Sequence, residues 1–173
     1  MTGKHIFTSE QKLEWWGHGE WVEEIDILEW EFKNVKCKVF RMAANDAVKN
    51  DGTAHIFGGY FNGYIQVPDN HPWKEMDPFE IDADVHGGIT FGKKDEKNGQ
   101  YWIGFDCAHL NDILPSMELI KKTFPQLQFS KDLEEMKKRF PVSLLFNPSY
   151  KNINYVKYEC ESLVDQMLAI KVQ

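Results

Sequence analysis

FEIDADVHGGITFGKKDEKNGQYWIGFDCAH, residues 79–109, is the stretch whose reading decides the fold. Phe79, Ile81, Ala83 and Val85 alternate with Glu80, Asp82, Asp84 and His86, the period of a strand with one buried face. Beyond the charged loop GKKDEKNG, Tyr101, Ile103 and Phe105 alternate in the same way with Trp102, Gly104 and Asp106. The pattern predicts a central antiparallel hairpin of about 79–91 with 100–108. Pairing 89 with 103 and 91 with 101 keeps Ile89 and Phe91 on the side of Ile103 and Tyr101. That register sets His86 opposite Asp106 and Gly88 opposite Gly104. Side chains directly opposite lie ~4.5–5.5 Å apart at Cβ, within reach of a charge-assisted hydrogen bond or a shared metal.

Upstream, Thr8 or Ser9 caps a short helix over EQKLEWW that Gly17 and Gly19 end. EIDILEWEF and VKCKVF alternate, with Leu28, Trp30 and Phe32 on one face, and predict a hairpin turning at Lys33-Asn34. Residues 44–53 read as a polar loop. HIFGGYFNGYIQV is a further strand whose glycines mark a bulge, a bend or a close backbone approach. Downstream, SMELIKKTF and SKDLEEMKKRF have helical spacing. A final helix places Ile153, Val156, Cys160, Leu163, Val164 and Met167 on one stripe that should dock on the sheet. Strands over 20–110 followed by helices over 115–173 predict one α+β domain spanning residues 1–173: an antiparallel, strongly bent sheet packed by C-terminal helices.

Composition narrows the function classes. At 173 residues the chain can bury a core without staples. Its net charge of −7 argues against a nucleic-acid backbone as partner. No apolar run is long enough to span a membrane. Cys37, Cys107 and Cys160 are odd in number and widely spaced, which fits reduced thiols in a cytosol rather than a disulfide framework or a zinc knuckle. The N-terminus has no apolar core of a secretory signal, so a cytosolic protein is expected.

The chemically unusual residues crowd between His71 and His109. A small polar pocket is expected from His71, His86, Gly87, Gly88, Asp106 and His109, with Trp73 or Trp102 nearby, where the glycines let a ligand approach the backbone. His86 oriented by Asp106 would be its general base if the protein is an enzyme. Alternatively His86, Asp106 and His109, with or without His71, supply the nitrogen and oxygen ligands of a hydrolytic Zn²⁺ or Mn²⁺ centre. A structural His–Asp pair holding a glycine-rich hairpin is the third reading of the same residues. Trp15, Trp16 and Trp21 offer a different candidate, an aromatic surface for binding and inhibiting a protein.

GYFNGYIQVPDNHPW, DVHGGITF, WIGFDCAHLND and YVKYECESLVDQM, in that order, resemble a family of small proteins encoded by bacteriophages and prophages. The matching positions include His71, Pro72, Val85 to Gly88, Gly104 to His109, Asp112, Tyr155, Val156 and Glu159. Ile89, Phe91 and the residues after Trp73 depart from its usual pattern. The resemblance brings no established activity. It implies an accessory protein in the cytosol of an infected bacterium, for which a captured host nucleotide signal is one ligand class and a host protein one partner.

Overall fold

The computed structural model describes residues 1–44, 57–123 and 148–170. Among these residues are six strands, β1 (Thr2–Lys4), β2 (Ile27–Phe32), β3 (Val35–Ala44), β4 (Phe57–Val67), β5 (Phe91–Lys94) and β6 (Tyr101–Asp106). The α-helices among the described residues are α1 (Ser9–Trp16), α2 (Pro115–Thr123) and α3 (Ile153–Ala169). All strand pairs are antiparallel, in the order β1-β2-β3-β4-β6-β5, so the curved sheet is open, with β1 and β5 at its edges. The fold is therefore the α+β class that the sequence predicts. Among the described residues no helix is long and apolar enough to cross a membrane.

Local chemistry accounts for the elements. Thr8 accepts from the Gln11 N–H while the Gln11 side chain accepts from the Thr8 N–H, a reciprocal cap that starts α1. Lys33 and Asn34, at φ 49° and 64°, make the two-residue turn between β2 and β3 whose backbone twist matches that of the strands. Across that ladder Glu29 faces Lys38 and Glu31 faces Lys36. All six residues of the α3 stripe are buried, against Val39, Phe61, Ile65, Ile103 and Phe105 of the sheet. Each such side chain contributes about 1.5–3 kcal/mol when fully buried. Gly63 sits under this contact, because a side chain there would collide with Phe105 and Cys160.

The central hairpin differs from the expected one. Residues 81–90 are not a strand, and β5 begins at Phe91, where the predicted strand was to end. Phe91 pairs with Gly104 and Lys94 with Tyr101, a register displaced by three residues that takes His86 out of the ladder. The cause lies in α3. Gln166 grips Asp84 from both sides, accepting from its N–H at 2.8 Å and donating to its carbonyl at 2.8 Å, and Glu159 accepts the His86 N–H at 2.9 Å. Helix side chains thus satisfy the main-chain groups that a strand would have paired. The segment buries Ile81, Val85 and Ile89, every fourth residue, and leaves Phe79 82% exposed. The predicted helix SKDLEEMKKRF and most of the predicted 44–53 loop lie outside the described residues.

Candidate metal centre

Three segments converge at one end of the sheet. The 81–90 segment brings His86, the turn after β6 brings His109 and Asp112, and the first turns of α3 bring Tyr155 and Glu159. Gly87 makes the approach of the first two feasible. Its φ is +69°, and a β-carbon on it would fall inside the His109 imidazole. The His109–Asp112 turn closes on itself: the Asp112 N–H donates to the His109 carbonyl at 2.9 Å, and the Asp112 carboxylate accepts the His109 N–H at 2.9 Å.

His86, not paired with Asp106, makes its contact with Asp112. Its Nε2 lies 2.9 Å from Asp112 Oδ2, and its Nδ1 lies 3.1 Å from the Tyr155 hydroxyl. His109 Nδ1 is 3.4 Å from the same Asp112 oxygen, while His109 Nε2 points toward Asp106 at 4.0 Å. The ligating atoms of His86, His109 and Asp112 all lie within 4.8 Å of one another. A tetrahedral Zn²⁺ with bonds of ~2.0–2.2 Å holds its ligand atoms about 3.3 Å apart, so these gaps are of ligand–ligand size. Two polar atoms here are buried without a hydrogen bond, His109 Nδ1 and Asp112 Oδ1. Lys151 stops 3.9 Å short of Asp112 Oδ1, its ammonium bonded to Ser149 Oγ.

The site is graded from dry to wet. The Asp112 side chain is 1% exposed, His86 15% and His109 36%. Burial alone would raise the Asp112 carboxyl, but the hydrogen bonds from His86 and the His109 N–H outweigh it and hold the group below the usual range. Burial and neighbouring Glu159 push the Tyr155 phenol up to about 12, so it is a neutral hydroxyl at physiological pH.

The site therefore gathers His86, Gly87, Gly88 and His109 of the predicted set, with Asp106 at its rim. Asp106 Oδ2 accepts from the Thr90 hydroxyl and Oδ1 from the Ala108 N–H, which turns the carboxylate beside His109 rather than opposite His86. Three predicted members lie elsewhere. His71 is buried at the far end of α3, its Nε2 3.0 Å from the Met167 carbonyl and its Nδ1 accepting the Trp73 N–H at 3.1 Å. These partners fix its tautomer and give it a structural role. Trp73 is core, 4% exposed. Trp102 lies on the other face of the sheet, paired with Gln66 and Lys93. The proposed aromatic surface is also largely internal, since Trp16 and Trp21 are 1% and 6% exposed.

Asp112, Tyr155 and Glu159 were not placed at the site from sequence. Asp112 carried a signal in its spacing of three from His109 within one turn. Tyr155 and Glu159 carried one as neighbours of the buried stripe at Val156 and Cys160. Comparison with protein-family models, with characterised proteins and with solved structures finds no match to this chain.

Proposed function

We propose that this protein is a metal-dependent hydrolase whose divalent cation is held by His86, His109 and Asp112. The observation that carries the reading is the pair of buried, unbonded polar atoms, His109 Nδ1 and Asp112 Oδ1, beside His86 Nε2. Leaving a buried polar atom unpaired costs about 1–3 kcal/mol, and a cation bound here would relieve both. Two imidazoles and a carboxylate suit Zn²⁺ or Mn²⁺, and three protein ligands, of which His109 is part-exposed, leave coordination positions open to a substrate. Such an ion polarises a substrate oxygen and lowers the pKa of a water it binds.

The surrounding residues have the character of outer-shell partners. The Tyr155 hydroxyl, 3.1 Å from the distal nitrogen of His86, fixes the orientation of that ring, while Asp106 lies 4.0 Å from that of His109, a charge contact rather than a hydrogen bond. Asp106 is 31% exposed, so it is also positioned to accept a proton at the mouth. The segments on which the phage-family resemblance rests supply His86, His109, Asp112, Tyr155 and Glu159, which supports a shared chemistry. From that resemblance comes the setting, an accessory protein in the bacterial cytosol.

Metal analysis of protein purified without chelator or histidine tag tests the reading. About one equivalent of zinc or manganese is expected. Asp112→Asn and His86→Ala should lose it, while Tyr155→Phe, which removes the hydrogen-bond partner of the His86 distal nitrogen, should weaken affinity about 10–100-fold. A metal-free protein that also takes up no Zn²⁺, Mn²⁺ or Co²⁺ on titration would sink the proposal. A hydrogen-bonded His86–Asp112 pair, free to act as an oriented base in a ligand pocket, would then be the better account.

A further inference from the structure

The described helices all pack on one face of the sheet: positions Gly59 and Gly63 of β4 point respectively at Pro115 and Trp16, and at Cys160. The opposite face, which carries Tyr64 and Trp102, has no described helix on it. A solvated sheet face is normally polar. This one is a trough of about 1030 Å³, running from the β2–β3 ladder to the β5–β6 loop.

Its floor is aromatic and built in place. Gly104 has no side chain where one would collide with the ring of Tyr64, so Tyr64 lies against the sheet. Phe91 meets Tyr64 edge to face, with centroids 5.3 Å apart, and the Tyr64 hydroxyl accepts from Asn62 at 3.1 Å. Trp102 is half-buried beside them. One rim is cationic. Lys36 and Lys38 on the other wall face Glu31 and Glu29 across the ladder, but Lys93, which shares the face of Trp102, and Lys97 form no ion pair with any described residue. Of the two acids in that loop, Asp95 accepts the Lys97 N–H at 2.9 Å, and Glu96 is exposed.

We infer that this trough binds a nucleoside phosphate, its base stacked on Trp102 with Tyr64 and Phe91 as the apolar wall beside it, and its phosphates held by Lys93 and Lys97. Stacking needs only a planar π-face, and each ammonium supplies three donors to phosphate oxygens. A trough of this volume accommodates a mononucleotide. The net charge of −7 repels a polyanion, so the ligand is the free nucleotide rather than a strand. This inference does not rest on the metal centre: Asp106, at that centre's rim, is four residues along β6 from Trp102, about 13 Å.

Calorimetric titration of the full chain with ATP, adenosine and tripolyphosphate tests it. ATP should bind with a sub-millimolar Kd, and adenosine and tripolyphosphate at least tenfold more weakly. Lys93→Glu/Lys97→Glu, a change of exposed residues that leaves the core untouched, and Trp102→Ala should each weaken ATP at least tenfold. Trp102→Phe should retain most of the affinity, and His86→Ala should bind as the wild type does. No heat from millimolar ATP would overturn the inference. So would equal binding of adenosine or tripolyphosphate, or affinity lost in His86→Ala but unchanged in the lysine pair.

Discussion

Gly87 and Gly88 are adjacent and both have positive φ, +69° and +81°, yet they meet different surroundings. A methyl group on Gly88 would find nothing within 4 Å, whereas one on Gly87 would enter the His109 ring. Gly88→Ala should therefore cost only the backbone strain of the left-handed region, about 1–2 kcal/mol in urea unfolding. Gly87→Ala carries the same strain and must also displace His109. It should be the more destabilising of the two and should reduce metal affinity, where Gly88→Ala should not. Equal metal binding by the two variants would mean that His109 is no ligand. The glycines were legible as a site for close approach, but the group approached is His109, three residues beyond β6, and alternation says nothing about where a turn will fold back.

Among the elements, the junction of α1, β2 and β3 encloses a buried charge network. Asp26 is fully buried and accepts from the Ile6 and Phe7 N–H groups, from Lys12 and from Arg41, all at 2.8–3.0 Å. Arg41 also donates to Gly59, Tyr150 and Glu24, and Lys12 to the Glu24 carbonyl. Asp26→Asn would leave two buried cations short of a counter-charge, so a loss of about 3–5 kcal/mol is expected. Burial alone would raise the Asp26 carboxyl, but the bonds from Lys12 and the two N–H groups dominate and hold it below its ordinary value. A depressed folded-state pKa gives stability that is present above the unfolded value, about 3.9, and lost as pH falls through the folded one. The stability gap between wild type and Asp26→Asn should thus be constant from pH 7 to about 5 and narrow below about 4; a gap that widens in acid would refute the assignment. Elements with their own signals were legible here: the α1 cap, the Lys33-Asn34 turn and the α3 stripe. Residues 81–90 were not, because their alternation is real but their hydrogen-bond partners are Gln166 and Glu159, more than 70 residues away. The same limit hid Asp112 as the partner of His86. The Asp26 cluster escaped notice too, since nothing in the local pattern marks Lys12 or Arg41 as buried.

At the scale of the molecule, the three cysteines come from three different elements of one core. Cys37 lies on β3, Cys107 just beyond β6 and Cys160 on α3, and all are at most 2% exposed. Burial pushes the Cys37 thiol up to about 12 and raises Cys107 and Cys160 as well. At pH 8 a thiol of that kind is thiolate only about once in ten thousand molecules, and the thiolate is the reactive form. All three should therefore resist a disulfide reagent in the folded protein. The sheet and α3 bury them in a common cluster, so exposing all three requires separating α3 from the strands. The three should become reactive together, in a single urea transition that coincides with loss of tryptophan fluorescence. One thiol reacting ahead of the others would show that its element opens separately; Cys107 is the sharpest probe, since it sits between β6 and the His109–Asp112 turn. If zinc or manganese clamps that turn to His86, adding the metal should slow Cys107 labelling in mild urea, and Asp112→Asn should abolish the protection.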